Sequence, residues 1–259
     1  MATIDTGGSD SFGDDGRTPP EEIAPNVDSR RQLSVLGGFA LAVEGDVRPA
    51  ISIGSQRLLG CLAVQGRTVS RTQMAGMLWR GVSDESAGTS LDAALLRLEH
   101  PVRHAVTATD AGLRLSEDLV VDLHQSQALA HRLVDRGAPL SEPDIFRPAV
   151  SALSSELLPG WYDDWALIAA ENWHQLRLQA LEAAAERLTA AGRHAEAATA
   201  ARAAISAEPL RESARASLIR VHLARGSRAD ALEELARYRD LLNAEIGVEP
   251  TRRLTQLLD

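Results

Sequence analysis

Lysine is absent from this chain: all 27 basic residues are arginine. Alanine, leucine and glycine are abundant, and together these biases fit a GC-rich coding sequence, as in a high-GC bacterium. Cysteine occurs once, at Cys61 within the apolar run LLGCLAV. That excludes a disulfide framework, and with no cation inside that apolar run the thiol reads as a core residue. No apolar run reaches the ~18 residues of a membrane-spanning helix, and no basic flank leads into an apolar stretch at the N-terminus. The expected location is the cytoplasm. Catalytic signatures are missing too: no GxGxxG, no GxSxG, no glycine-rich phosphate loop and no Ser/His/Asp arrangement. No catalytic residue and no cofactor is therefore expected, and the chain does not read as an enzyme. His100 and His104 have zinc-compatible spacing, but Pro101 interrupts them and no third ligand accompanies them, so no metal site is expected. Positive charge is also scarce. The net charge of −9 argues against a broad electrostatic grip on nucleic acid.

What the chain does contain is a repeat. Gly192 and Gly226 lie 34 residues apart, and GRHAEAATAARAAI (192–205) aligns with GSRADALEELARYR (226–239) at that offset. A period of about 34 residues, with small residues where helices cross and a glycine at the turn, marks a tetratricopeptide-like helical pair. Such a pair cannot bury its apolar face alone, so it stacks on a neighbour and leaves a surface for a partner. Arg202 and Arg239, within this repeat, are candidate partner-binding residues.

The rest of the chain divides by texture. Residues 1–32 carry seven acids against three arginines and no apolar periodicity, and read as a disordered acidic tail. The stretch 33–43 is β-rich with a GG break, followed by a short strand near 47–53. Helical patterns then cover 55–65, ending at Gly66, and 71–79, capped by Ser70. A third runs from about Ser86 to His104. VTAT, DAG and LRL (106–115) form a hairpin, closed by a strand near 119–121. From Asp122 onward only helices are expected: one at 123–136, a proline-containing loop at 137–148, and a long one from Trp165 to Ala191. Trp161, Tyr162 and Trp165 concentrate aromatic surface in a chain that is only 3% aromatic, as a corner between the halves or an anchor for a partner. Asp163 and Asp164 point about 100° apart on a helix, so capping suits them better than a shared site.

The order of strands, three helices and a hairpin is that of a winged helix with an extra N-terminal sheet, of the response-regulator-effector type, here α+β and followed by an all-α tetratricopeptide-like domain. The expected division is a tail at 1–32, the winged helix at 33–122 and the helical domain at 123–259. In the third helix, Leu91, Ala94, Leu95 and Leu98 share an apolar stripe. Thr89, Asp92, Ala93, Leu96, Arg97, Glu99 and His100 face outward. Candidate DNA contacts are Gln56 and Arg57 at the start of the first helix, Ser70 and Arg71 at the start of the second, Thr89, Ala93 and Arg97 on the third, and Arg114 on the hairpin.

Several blocks (LSVLGGFALAV, GSQRLLGCLAVQGRTVSRTQMAGMLW, LLPGWYDDW, PLRESARASLIRVHLARG and EIGVEP) resemble the SARP-type antibiotic-regulatory activators of actinomycetes over residues 32–259. The resemblance implies a winged helix that binds promoter DNA and a bacterial transcriptional activator domain that self-associates or contacts RNA polymerase or another regulator. It also implies arginines on the third helix at positions where this chain has Asp92 and Glu99. Residues 33–122 hold eight arginines against ten acids. Two readings stay open: a DNA-binding regulator, and an interaction protein whose winged helix no longer reads DNA.

Overall fold

The computed structural model describes residues 31–43, 46–47, 51–98, 102–139 and 147–259. The expected acidic tail, apart from its last two residues, lies outside them, as do Glu99, His100 and Pro101 and the middle of the proline-containing loop. Arg31 and Gln32, read as the end of the tail, belong instead to strand β1 (Arg31–Ser34).

A small N-terminal sheet has the order β3-β2-β1-β6, from β2 (Ala40–Val43), β3 (Asp46–Val47) and β6 (Leu119–Val121). The strand expected at 47–53 shrinks to the two residues of β3, because Ser52 already caps a helix. Its hydroxyl accepts from the Ser55 amide at 3.2 Å and starts α1 (Ile53–Gln65), which ends at Gly66 in the left-handed conformation. Ser70 and Ser83 cap α2 (Arg71–Leu78) and α3 (Asp84–Leu96) in the same way. The third helix is thus shorter than its sequence suggests. After it a 3-10 turn at Val102–Ala105 leads into β4 (Val106–Thr109) and β5 (Gly112–Leu115).

β4 and β5 form the expected hairpin, but β6 does not close it. Instead β6 runs parallel to β1, with Leu33 opposite Val121. Leu119 and Val121 are buried on the same side as Leu33, so only that pairing hides their side chains. The hairpin fastens elsewhere: Val69 and Leu113 exchange backbone hydrogen bonds at 2.9 and 2.8 Å. Gly112 makes this approach possible. A Cβ there would lie 2.1 Å from the Val69 carbonyl oxygen.

Everything after β6 is helical. α4 (Asp122–Val134) precedes α5 (Arg147–Ser154), a helix with no counterpart in the sequence reading. Pro148, the loop signal, sits in its first turn, where a missing N–H costs nothing. Only the first two residues of α5 overlap the loop expected at 137–148. Then come α6 (Asp164–Ala190), α7 (His194–Ala207), α8 (Glu212–Ala224), α9 (Arg228–Ile246) and the short α10 (Arg252–Thr255). The 34-residue period is visible in single hydrogen bonds. Arg193 N donates to Leu188 O and Gly192 N to Thr189 O; Ser227 N donates to His222 O and Gly226 N to Leu223 O. Both glycines have φ near +75 to +80°, and Ala197 and its counterpart Ala231 are fully buried.

Buried apolar residues form one continuous cluster from Leu33 to Val221, with a second, smaller one beneath α9 and α10. Among the described residues no helix is long and apolar enough to cross a membrane.

Candidate nucleic-acid interface

The start of α2, the far end of α3 and the hairpin converge on one groove of about 420 Å³. Arg71, Asp92 and Arg103 supply its charges, and Leu95, Leu96, Leu98, Val106 and Ala108 its apolar lining. α3 behaves as its periodicity requires. Leu91, Ala94 and Leu98 are buried and Leu95 packs half-buried against the core, while Thr89, Asp92, Leu96 and Arg97 are exposed. Leu96 is 74% exposed, a large apolar side chain beside the charged rim. Ala93 is half-buried, and the Thr89 hydroxyl donates to the Glu85 carbonyl at 3.0 Å.

The charges on this face are largely neutralised from within. The Arg71 guanidinium, at the N-terminal end of α2, donates to the Asp92 carboxylate of α3. Arg114 on β5 pairs with Glu117, and Arg31 with Asp118 at 3.1 Å. The Ser116 hydroxyl, and then Arg31, hold the Asp118 carboxyl below its usual range. Arg97 and Arg103 have no hydrogen-bond or ion-pair partner among the described residues, and both are exposed. Arg103 is the residue that sequence reading missed. A helix drawn through to His104 hid it, and no pattern in the sequence marks a 3-10 turn that lays it beside Arg71.

Two further candidates sit elsewhere. Gln56 donates its side-chain amide to the Ile51 carbonyl at 2.8 Å, holding the turn before α1. Arg57, expected at phosphate, is committed to the seam between the two halves: it donates to the Asp163 carboxylate and to the Leu78 carbonyl. Asp163 occupies the cap position of α6, yet its carboxylate answers Arg57 and makes no side-chain cap bond. Asp164 pairs with Arg80.

The aromatic corner lies in the same seam. Trp161 stacks on Phe39 and meets Trp165 edge-on, both at 5.9 Å between ring centres. A Cβ on Gly60 of α1 would come within 3.3 Å of the Trp161 ring, so the glycine lets the indole lie against the helix. Trp165 is buried and Trp161 half-buried, whereas Tyr162 is 83% exposed. Backbone pairing completes the join: Leu158 N donates to Val35 O at 2.8 Å and Gly37 N to Glu156 O at 2.7 Å. Asp122, at the start of α4, accepts from the amides of Val35, Leu36 and Leu123 at 2.9, 3.2 and 2.7 Å. Burial raises its pKa despite those bonds.

In the helical half, a groove of about 730 Å³ is lined by the alternate helices α6 and α8, with α4 and α10 at its ends. Its glutamates are answered: Glu182 by Arg211 and Ser213, Glu186 by Arg136 and Glu212 by Thr251. Arg220 and Arg253 have no partner among the described residues. Arg202 and Arg239 lie on α7 and α9, which contribute nothing to this lining; Arg239 pairs with Glu249 at 3.2 Å. No cluster of metal-ligating side chains occurs among the described residues.

Residues 120–259 match the family described as the bacterial transcriptional activator domain. The regulatory protein AfsR of Streptomyces coelicolor is 27% identical over 94% of the chain, which corresponds to 26% of AfsR. AfsR of Streptomyces griseus is 25% identical over 92% of the chain and 25% of its own length. The chain therefore spans about a quarter of these curated relatives. Among solved structures, Mycobacterium tuberculosis EmbR in complex with a low affinity phosphopeptide has a TM-score of 0.64 at 21% identity, over 88% of this chain and 64% of that one. The likeness to EmbR concerns the fold.

Proposed function

Since the chain belongs to the bacterial transcriptional activator domain family, we propose that it is a transcriptional regulator that binds promoter DNA through a winged helix at 33–122 and meets protein partners through the helical domain at 123–259. The relatives, named as regulatory proteins, support the first half of this reading. The convergence of Arg71, the outward face of α3, Arg103 and the hairpin on one groove carries the DNA-binding half, and the groove of the helical domain with Arg220 and Arg253 supports the second. In this reading α3 enters the major groove with Thr89, Ala93, Leu96 and Arg97 toward base edges, Leu96 suiting a thymine methyl. The Ser70–Arg71 end of α2 meets phosphate, where backbone N–H groups favour an anion. Arg103 and Arg114 flank the hairpin and follow the adjacent backbone.

Neither Gln56 nor Arg57 enters this interface, since both are engaged within the molecule. Trp161 and Trp165 serve the seam rather than a partner, which leaves Tyr162 as the exposed aromatic for contact. Arg220 and Arg253 replace Arg202 and Arg239 as the residues that would meet RNA polymerase, another regulator or a second copy.

One observation favours the second reading, an interaction protein that has lost DNA binding: Asp92 occupies Arg71, and Glu117 occupies Arg114. Fluorescence anisotropy of the protein on the fragment upstream of its own gene separates the two, with a scrambled fragment as control. Engagement of Arg71, Arg97, Arg103 and Arg114 gives a log–log salt slope of about −3 to −4. Arg103→Ala makes it shallower by about one on every sequence, whereas Arg97→Ala weakens the native sequence selectively. No binding at low salt would leave the interaction protein as the function.

A further inference from the structure

The same groove has a candidate occupant within the chain. Residues 1–30 hold seven acids and two arginines, and their last third reads Glu21-Glu22-Ile23-Ala24-Pro25-Asn26-Val27-Asp28. Acids flank two branched apolar residues in that stretch. The groove has the complementary pattern: Leu95, Leu96, Leu98, Val106 and Ala108 form its apolar lining, with Arg103, which has no partner among the described residues, at its edge and Arg97 exposed at the C-terminal cap of α3. Its one lining acid, Asp92, is paired with Arg71, and the nearest acids on the β5–β6 turn are paired as well, Glu117 with Arg114 and Asp118 with Arg31. An acidic segment in the groove would therefore meet two guanidiniums with no partner among the described residues, and the one carboxylate of the described lining is already paired.

The point where the chain enters the fold favours this site over any other basic surface. Arg31, the first residue of β1, donates to the carbonyl of His104 at 3.4 Å. Arg103 is the neighbour of His104 in sequence and lines the groove. Four residues separate Val27 from Arg31 and nine separate Glu22 from it, spans of at most ~14 and ~32 Å for extended chain. The segment can reach the groove without crossing the molecule.

We propose that Glu21–Asp28 docks in the groove between α3 and the hairpin, Ile23 and Val27 against its apolar lining and the acids against Arg97 and Arg103, so that the segment competes with DNA for this face. The competition rests on the groove being the DNA-binding face; the docking does not. A tether this short supplies an effective concentration on the order of 1 mM. A segment affinity of ~0.1 mM then keeps the groove about nine-tenths occupied and weakens DNA binding about tenfold.

Two measurements on the full chain test this. In the first, Ile23 is replaced by the photo-crosslinking residue p-benzoylphenylalanine, and the products formed without DNA are mapped by mass spectrometry. Cross-links are expected within residues 92–108, and Arg103→Glu should remove them. Cross-links elsewhere, or none, overturn the docking. In the second, anisotropy on the upstream fragment compares the native chain with one carrying Glu21→Gln, Glu22→Gln, Asp28→Asn, Ile23→Ser and Val27→Ser. The variant should bind about tenfold more tightly; equal affinity overturns the competition while leaving DNA binding intact. Groove cross-links without DNA binding by either chain would retain the docked segment and remove the DNA-binding reading instead.

Discussion

Asp92 controls how much positive charge the start of α2 can offer, because its carboxylate holds the Arg71 guanidinium across the groove. Both side chains are about half exposed, so the pair contributes little to stability, about 0–1 kcal/mol at most. Its effect is on the field seen by a polyanion. Asp92→Asn should leave the denaturation midpoint nearly unchanged and tighten low-salt binding to arbitrary duplex by about three- to tenfold. Unchanged affinity in anisotropy would mean that Arg71 does not face DNA. Cys61 shows the opposite case, a residue sealed from function. Burial, and then the charge of Asp163, push its thiol from 9.0 up to about 12, against the pull of Arg57. Above pH 9 the unfolded chain releases this proton and the folded chain keeps it. Stability therefore falls with rising pH between about 9 and 12, by up to about 1.4 kcal/mol per unit, and the group adds no pH dependence below that window. Urea unfolding at pH 8 and pH 10 should show a smaller alkaline loss for Cys61→Ala than for the native chain; equal losses would contradict the assignment.

Among the elements, the hairpin depends most on a single residue. It is joined to the turn before α2 by the two hydrogen bonds between Val69 and Leu113, and Gly112 has φ of 138° directly against the Val69 carbonyl. A methyl group there has backbone, not a flexible side chain, in its way. Gly112→Ala should cost about 2–4 kcal/mol and swing the hairpin off the groove. Equilibrium denaturation measures the cost; a loss below about 1 kcal/mol would show that the approach is looser than described. The helices were easier to read in the sequence because their signals are local. The Ser70 cap and the left-handed glycines at 66, 192 and 226 punctuate them directly, whereas the caps at Ser52, inside an expected strand, and Ser83, ahead of the expected start of α3, emerge only from the structure. The start of α5, at 147–148, was taken into the loop because proline signals both a loop and a helix first turn, and the sequence alone does not separate the two. The partner of β6 was misread because its alternating burial fits either neighbour until the core on one side is known.

At the scale of the whole molecule, the halves share a core instead of being tethered. The chain from Ser155 to Trp161 pairs with residues 35–37 and wedges two indoles between Phe39 and Gly60, and Arg57–Asp163 closes the edge. The helical groove and the groove between α3 and the hairpin therefore belong to one continuous body. Trp161→Ala removes the centre of that seam. It should cost about 2–4 kcal/mol, given that the ring is only half-buried, and divide the single thermal transition expected of the native chain into two. One transition at an unchanged Tm in calorimetry would mean that the seam does not couple the halves.

The sequence by itself determined the 34-residue helical repeat, the capped helices, the hairpin and the buried stripe of α3. All of these depend on neighbours within about four residues or on a fixed period, and both survive in a linear string. It also carried the family, through the order of its blocks. Tertiary structure alone decided which charges remain available. Arg57 is spent on the seam, Arg71 on Asp92 and Arg114 on Glu117, while the exposed Arg97 and Arg103 have no partner among the described residues. These outcomes depend on pairings as far as 106 residues apart in the chain, and the energy of a charge is set by what lies within a few ångströms of it in space.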